Sequence, residues 1–382
     1  MRLTLETLSP LHIGCNESYS ATTDYIYARD RRKAILISPD KMEAALRSRS
    51  RLPIDLVETL VNRLRGPGNF HLCRFLQDNK VSISEVALSE LDAIGEVRGE
   101  IRRFIYGAGG AFVPGSSLKG AFRTALAFAY LKEHAPQTLA DAVKNRLPRD
   151  RRQVKEAFKD SGLEGKIFLD PHRDPLKNIA ISDSTPLRTN ALKVYGVKRF
   201  YIAELARNST DLRQGSPVSL ECIPGGKTIQ LLLGFGRFLP FKREFSFLRN
   251  SSGLSDLFGH INQFSLASVS REVSEFKQRN AQRLAPFIAF YEHLHTQIES
   301  LPANSCILRL GFGKTFWDET VDLLISNDQD AVKRLERYLN TNFWSRRARR
   351  ACPGDPLPTT RYFVPDNQGD FREVLGWVKV SV

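Results

Sequence analysis

Phe112-Val113-Pro114-Gly115-Ser116-Ser117-Leu118-Lys119-Gly120-Ala121-Phe122-Arg123-Thr124-Ala125-Leu126 joins a turn to the start of a helix. Pro114-Gly115 makes the turn, and Ser116 or Ser117 is expected as the N-cap, its hydroxyl accepting from a first-turn amide. Leu118, Phe122, Ala125, Leu126 and Ala129 recur at helical spacing, so the helix should run to about His134 with that face buried. Lys119 and Arg123 are four apart and share another face near the positive end of the helix dipole. Gly120 lies between them with no side chain to hold a ligand away. Unpaired amides, a positive dipole end and two cations suit a phosphate. The same pattern also fits an amphipathic core helix with two solvated cations, and other segments have to decide between the readings.

Those segments occur in a fixed order. The chain opens with an alternating strand and loop, Leu3-Thr4-Leu5-Glu6-Thr7-Leu8-Ser9-Pro10-Leu11-His12-Ile13-Gly14. A glycine-rich segment, Leu308-Arg309-Leu310-Gly311-Phe312-Gly313-Lys314-Thr315-Phe316, follows a long helical stretch. The end carries Pro358-Thr359-Thr360-Arg361 and Leu375-Gly376-Trp377-Val378-Lys379. Between them lie Ile181-Ser182-Asp183-Ser184 and Leu220-Glu221-Cys222-Ile223-Pro224-Gly225-Gly226.

Taken in order, these strings resemble the RAMP superfamily, the RNA-binding subunits of CRISPR effector complexes. The helix-start pattern of that family, Pro-Gly-Ser-Ser-Leu-Lys-Gly, two residues, then Arg, is filled at every position from Pro114 to Arg123. The intermediate strings are similar to the type III-A (Csm) subunit that sits toward the 3′ end of the crRNA. The likeness covers nearly the whole chain and is weaker around residues 40–95 and 135–175. It implies an α+β fold of ferredoxin-like, RRM-like βαββαβ units, two of them, with helical insertions. The units would be residues 1–177, with insertions at about 40–95 and 136–175, and residues 178–382. It implies a subunit that binds the 3′ portion of the crRNA, caps the backbone filament and takes part in crRNA 3′-end maturation. Its partners would be crRNA, target RNA indirectly, other Csm and Cas subunits, and host nucleases.

Composition bounds these expectations. The chain has 382 residues, enough for two domains or one elaborated domain, and 42% hydrophobic residues, enough for a real core. A net charge of +14 favours a polyanionic partner. No long apolar run suggests a membrane, and the opening strand pattern lacks a signal-peptide core. Cys15, Cys73, Cys222, Cys306 and Cys352 are scattered and form no CxxC pair, so they read as reduced thiols of a cytoplasmic protein without zinc.

Along the chain, residues 2–7, Tyr25-Ile26-Tyr27, Ala34 to Ile37 and residues 101–106 are expected strands. A helix is expected at about 40–65, broken by Pro53 and ended by Gly66-Pro67-Gly68. Residues 136–175, polar and basic, read as an insertion or mobile region rather than core. Val218 to Ile223 and Thr228 to Leu233 flank Pro224-Gly225-Gly226-Lys227 as a candidate hairpin. Helices are expected at about 272–300, split near Pro286, and at 329–345, with a last strand near 374–380.

The candidate RNA contacts are His12, Gly14, Ser116, Ser117, Lys119, Gly120, Arg123, Gly311, Gly313 and Lys314. Gly311 and Gly313 let a backbone approach a phosphate and expose its amides, although an isolated Gly-x-Gly is also an ordinary turn. His12 could contact a phosphate or a 2′-hydroxyl, or simply pack its loop. Gly226-Lys227-Thr228 and Gly313-Lys314-Thr315 are not P-loops, because Glu221 and Leu308 stand where the first glycine is needed. Gly107-x-Gly109 fails as a dinucleotide fingerprint because Phe112 stands where its last glycine is required. Asp24, Asp30 and Asp183 are the acids available for metal-dependent cleavage, though a lone aspartate there more often forms a turn. His293 and His295 diverge on a helix and make a poor metal pair. Arg346, Arg347, Arg349 and Arg350, near Tyr338, Phe343 and Trp344, suit either a solvated helix end or a contact with RNA or protein. No cofactor, metal or catalytic residue is expected. The rival expectation is a RAMP endoribonuclease that processes crRNA precursor, for which the sequence offers no acid–base pair.

Overall fold

The computed structural model describes residues 1–49, 61–62, 70–134, 161–202, 213–236, 242–279, 282–333, 335 and 358–382. Alternation in the first residues becomes β1 (Arg2–Thr7), whose inward Leu3 and Leu5 are fully buried. It lies in the middle of a five-stranded antiparallel sheet. Its neighbours are β12 (Thr228–Phe235) and β16 (Trp377–Ser381), with β9 (Ile179–Ile181) beyond one and β13 (Ser305–Arg309) beyond the other. The order β16-β1-β12-β9 is consistent with a βαββαβ unit, with β13 added outside.

A nine-stranded mixed sheet stands beside it. Its order is β2 (Gly14–Tyr19), β6 (Ile101–Phe104), β11 (Arg213–Cys222), β10 (Lys193–Tyr201), β5 (Ala87–Ile94), β4 (Lys33–Ile37) and β3 (Tyr25–Ala28). Strand β14 (Thr360–Pro365) also pairs with β10 and carries β15 (Phe371–Glu373). The glycines of Gly107–Gly110 turn a small hairpin between β7 (Tyr106–Gly107) and β8 (Gly110–Ala111). Both sheets take strands from before and after residue 177. The fold is α+β.

Helices pack against both sheets. Among the described residues, α1 (Pro39–Arg49), α2 (Leu72–Asp78) and α3 (Ile83–Val86) pack on β3 and β4 around their own cluster, including Ile35, Leu46, Phe75 and Val86. The rest of the helix expected to about residue 65 lies outside the described residues, apart from helical residues 61–62. α4 (Gly115–His134) buries Leu118, Phe122, Ala125, Leu126 and Ala129, the face its spacing defines. Each fully buried Leu or Phe contributes about 1.5–3 kcal/mol. α5 is Ser161–Phe168, α6 is Leu254–Gln278 and α7 is Ala285–Glu299, with Pro286 in its first turn where the missing N–H costs nothing. α4 crosses α6 through Phe128 and Phe264, whose ring centroids are 5.2 Å apart.

Three expectations are corrected. β11 and β12 do not form a hairpin: β11 enters the nine-stranded sheet and β12 the five-stranded one. The intervening turn is pinned to the end of β1, where the Thr7 hydroxyl donates to the Pro224 carbonyl at 2.7 Å and the Gly226 amide to the Thr7 carbonyl at 2.5 Å. The C-terminal part of the stretch read as peripheral reaches the core, because Ile167, Phe168 and Pro175 are buried. α6 begins at Leu254, well before residue 272. The helix expected at 329–345 is described only at residues 329–333 and 335, and the Arg346–Arg350 cluster lies outside the described residues.

Candidate nucleic-acid interface

The helix start differs locally from the sequence reading. α4 begins at Gly115, so Ser116 and Ser117 stand in its first turn rather than at the N-cap. Ser116 is exposed and Ser117 half-buried. The first amide is taken by a carboxylate: the Gly115 N–H donates to Asp183 Oδ1 at 2.9 Å. The Ser117 amide donates to the Pro114 carbonyl at 3.1 Å. Asp183 therefore does the capping, as acids do at the positive end of a helix. The expected bare N-terminus is a corrected point.

Lys119 and Arg123 face a pocket of about 760 Å³ between α4 and the segment 165–177. Lys119 Nζ donates to the Ile179 carbonyl at 2.8 Å, and partial burial lowers its pKa. Arg123 pairs with Asp174 at 2.6 Å and lies 4.1 Å above the centroid of the Phe168 ring. Exposed Arg173 and Lys177, which the motif does not contain, join them on the wall. Among the described residues four cations meet two carboxylates, Asp170 and Asp174, leaving the pocket positive. Gly120 is exposed, with open space where a side chain would stand.

Gly311, Gly313 and Lys314 follow β13 and reach back to the loop between β1 and β2. Gly311 has φ +68°, and any side chain there would run into the His12 carbonyl. The Phe312 amide donates to that same carbonyl at 2.8 Å. Gly313 has φ +93°, and a Cβ there would sit 2.9 Å from Leu375 Cβ. The close backbone approach that these glycines permit is thus made to the chain itself. Lys314 lies 3.2 Å from Glu319. Thr315 and Asp318 form a capping box on α8 (Phe316–Glu319).

His12 is 2% exposed. Its Nδ1 is 2.6 Å from the Glu221 carbonyl oxygen, an atom that only accepts, so Nδ1 carries the proton and Nε2 is an acceptor. Burial holds its pKa below the usual value, against the carbonyl bond, and Arg102 adds to the depression. A neutral ring offering a lone pair suits a ribose hydroxyl rather than a phosphate oxygen. Gly14, exposed, opens β2 beside it.

Beneath this loop is a buried acid that the motifs did not reveal. Glu221 is 0% exposed and accepts from the Phe104 amide at 2.8 Å and from the Tyr106 hydroxyl at 3.3 Å. Burial pushes its carboxyl up to about 7, against the pull of those bonds and of Arg103. Arg103 packs against the Tyr19 and Tyr106 rings.

The predicted residues share a connected surface. His12, Gly14, Gly311, Gly313 and Lys314 line a groove of about 690 Å³ with Arg102, Arg103, Phe312 and Tyr362. Lys314 and Glu319 also line a small cavity of about 110 Å³, and Gly120 joins that cavity to the Lys119–Arg123 pocket. Ser116 and Ser117 are not on the lining of these three spaces.

The remaining sequence candidates have local roles or stand apart. The Asp24 carboxylate accepts from the Ser20 amide at 2.8 Å and forms a turn. Among the described residues no three His, Cys, Asp or Glu side chains are grouped so as to hold a metal, and no helix is long and apolar enough to cross a membrane. Described Cys15, Cys73, Cys222 and Cys306 are free thiols.

Comparison with known proteins agrees with this architecture. The protein named CRISPR system Cms protein Csm5 of Methanocaldococcus jannaschii is 25% identical over 405 aligned residues, covering 100% of this chain and 89% of that protein. The protein of the same name from Streptococcus thermophilus is 29% identical over 203 residues, covering 50% of this chain and 53% of that protein. One similar fold is a chain in the cryo-EM structure of a Csm–crRNA–target RNA ternary complex of a type III-A CRISPR–Cas system. It has a TM-score of 0.72 and 20% identity, with all of both chains covered. Another is the crystal structure of T. onnurineus Csm5, with a TM-score of 0.64 and 20% identity, covering 98% of this chain and 99% of that one. The sequence pattern of the RAMP superfamily runs through residues 4–316, from β1 to the start of α8, and the chain belongs to that superfamily.

Proposed function

We propose that this chain is an RNA-binding, non-catalytic subunit of a type III-A CRISPR–Cas effector complex in the cytoplasm. It holds the 3′ portion of the crRNA, caps the backbone filament and takes part in crRNA 3′-end maturation in antiviral defence. Its partners are crRNA, target RNA indirectly, other Csm and Cas subunits, and host nucleases that trim what the subunit does not shield. The observation that carries this reading is the run of joined pockets linking Lys119, Gly120 and Arg123 to His12, Gly311, Gly313 and Lys314. Two segments nearly two hundred residues apart in sequence meet along one surface that is positive at the α4 end. Such a surface grips phosphate and sugar, as a protein accepting any guide sequence must.

The internal geometry favours holding over cutting. His12 spends its only proton on the Glu221 carbonyl, and the titratable Glu221 carboxyl is buried away from the groove lining. An acid–base pair needs both groups within reach of the substrate.

The test uses the exposed cations Arg173 and Lys177, whose own contacts with Asp170 and the His172 carbonyl lie at the surface, whereas those of Lys119 and Arg123 are partly buried. Arg173→Ala with Lys177→Ala should weaken single-stranded RNA binding several-fold for any sequence and flatten its salt dependence, with melting unchanged. In reconstituted complexes, crRNA from a preparation lacking this subunit should have altered 3′ ends by sequencing. Unaltered RNA affinity and unaltered 3′ ends would reject the reading. Discrete cleavage products from the purified chain, lost in a His12→Ala variant, would favour the endoribonuclease instead.

A further inference from the structure

The groove beside His12 differs in chemistry from the pocket beside α4. Its cations Arg102, Arg103 and Lys314 are matched among the described lining residues by Glu17, Glu100 and Glu319. Arg103 is ion-paired with Glu17, and Lys314 with Glu319. Balanced charge makes this a poor place to accumulate phosphates. What it offers is aromatic surface. The half-buried Phe312 and Tyr362 rings lie with centroids 4.8 Å apart at 54°, and the exposed Arg102 guanidinium stands 5.3 Å from the Phe312 centroid.

The two rings come from separate parts of the fold. Phe312 is held between Gly311 and Gly313, its amide fixed on the His12 carbonyl. Tyr362 is carried by β14, whose preceding residue Arg361 is anchored inward on Glu272. Alternation along the strand sends Tyr362 to the opposite side, into the groove. Both rings back onto a small cluster of Tyr195, Val197, Leu220 and Leu375, so their positions are set before any ligand arrives. His12 is on the same wall, its ring edge-to-face with Phe312 at a centroid distance of 6.0 Å.

We propose that Phe312, Tyr362 and Arg102 form a nucleobase-stacking site, which takes one unpaired base of the bound RNA while its phosphates run toward the Lys119–Arg123 pocket. This rests on the RNA-binding reading and deepens it. A flat π-face and a guanidinium plane accept any base, so such a site adds affinity without reading sequence. It gives the surface a division of labour, with charge at one end and stacking at the other.

The test compares a short single-stranded RNA with the same oligonucleotide carrying abasic residues, which keeps every phosphate. Wild-type protein should bind the base-bearing RNA about ten-fold more tightly. Tyr362→Leu and Phe312→Leu, which keep burial but remove the ring faces, should lose most of that difference and leave abasic binding as it was. Arg102→Gln, at an exposed position, serves where a ring variant melts early, and should also narrow the difference. Equal wild-type binding of the two RNAs would overturn the stacking site while leaving RNA binding intact. Variant losses of the same size on both RNAs would overturn it too, marking the rings as structural. Failure to bind either RNA would instead reject the reading on which it rests.

Discussion

Gly311 shows how a motif position can be right and its reason incomplete. The sequence places it in a phosphate cradle, yet its missing side chain makes room for the His12 carbonyl, at φ +68°. Gly311→Val should therefore lower the melting temperature strongly, by strain and by parting the β1–β2 loop from the β13 end, on the order of 2–4 kcal/mol. Lys314→Ala at the same loop should melt as wild type and lose RNA affinity modestly. A Gly311→Val protein that melts normally and only fails to bind RNA would restore the cradle reading. Glu221 gives a second, pH-resolved expectation. Its folded-state carboxyl titrates near 7 against an ordinary 4.5, so between those values the folded chain keeps a proton that the unfolded chain has released. Stability from this group is full below 4.5 and is lost as pH rises through 7. Glu221→Gln cannot ionise and keeps an acceptor for the Phe104 amide. It should gain stability over wild type at pH 8, on the order of 1–3 kcal/mol, and gain little at pH 5. Both proteins carry His12, whose depressed pKa acts in the opposite sense, so it cancels in the difference. Urea melts showing the same offset at both pH values would remove the titration argument.

Among the helices, the extent and buried face of α4 were legible because their information is local: a turn and a 3.6-residue apolar stripe. Its cap was not, since Asp183 arrives from far along the chain. Asp183→Ala should cost about 1 kcal/mol of stability, as loss of a helix cap does, and should not weaken RNA binding. A loss of RNA affinity without a loss of stability would show that Asp183 serves the ligand and not the helix. Most of α6 escaped sequence reading for a different reason. Its buried face includes Ser265, Ser268 and Glu272, which look like solvent positions. Each is satisfied by another element: Ser265 by the Ile307 carbonyl at 2.6 Å, Ser268 by Asp318, and Glu272 by Arg361. Hydrophobic periodicity cannot register a buried polar group whose partner is distant in sequence. The β11–β12 hairpin failed likewise: two alternating strands around a glycine turn look local, while tertiary pairing sends them to separate sheets. For the same reason Arg102 and Tyr362 were invisible as site residues, although Phe312 stood inside the motif.

The two sheets are joined by buried charge as well as by strand connections. Arg309 of β13 pairs with Asp318 of α8 at 2.8 Å and donates to the Leu375 carbonyl at 3.0 Å. Arg361 of β14 meets both oxygens of Glu272 on α6, at 2.7 and 2.8 Å, and the side chains are 3% and 2% exposed. α6 lies on β13 of the five-stranded sheet, while β14 belongs to the nine-stranded one. The Arg361–Glu272 pair therefore ties the helix layer of the five-stranded sheet to a strand of the nine-stranded one, next to Tyr362 of the groove. Desolvation offsets much of the attraction in such a pair, so its net stabilisation is small, but leaving one charge buried alone costs about 3–5 kcal/mol. Glu272→Gln should be destabilised by roughly that amount, and Arg361→Met similarly. The double variant Glu272→Leu with Arg361→Met removes both charges and fills the volume, and should recover most of the loss. RNA affinity should recover less than stability, because an apolar contact lacks the two-bond geometry that fixes the β14 register and hence the direction of Tyr362. A double-mutant cycle by urea unfolding, read beside RNA binding, separates these effects. Additive losses, with no recovery in the double variant, would mean that the two side chains act through different neighbours and do not hold the sheets together.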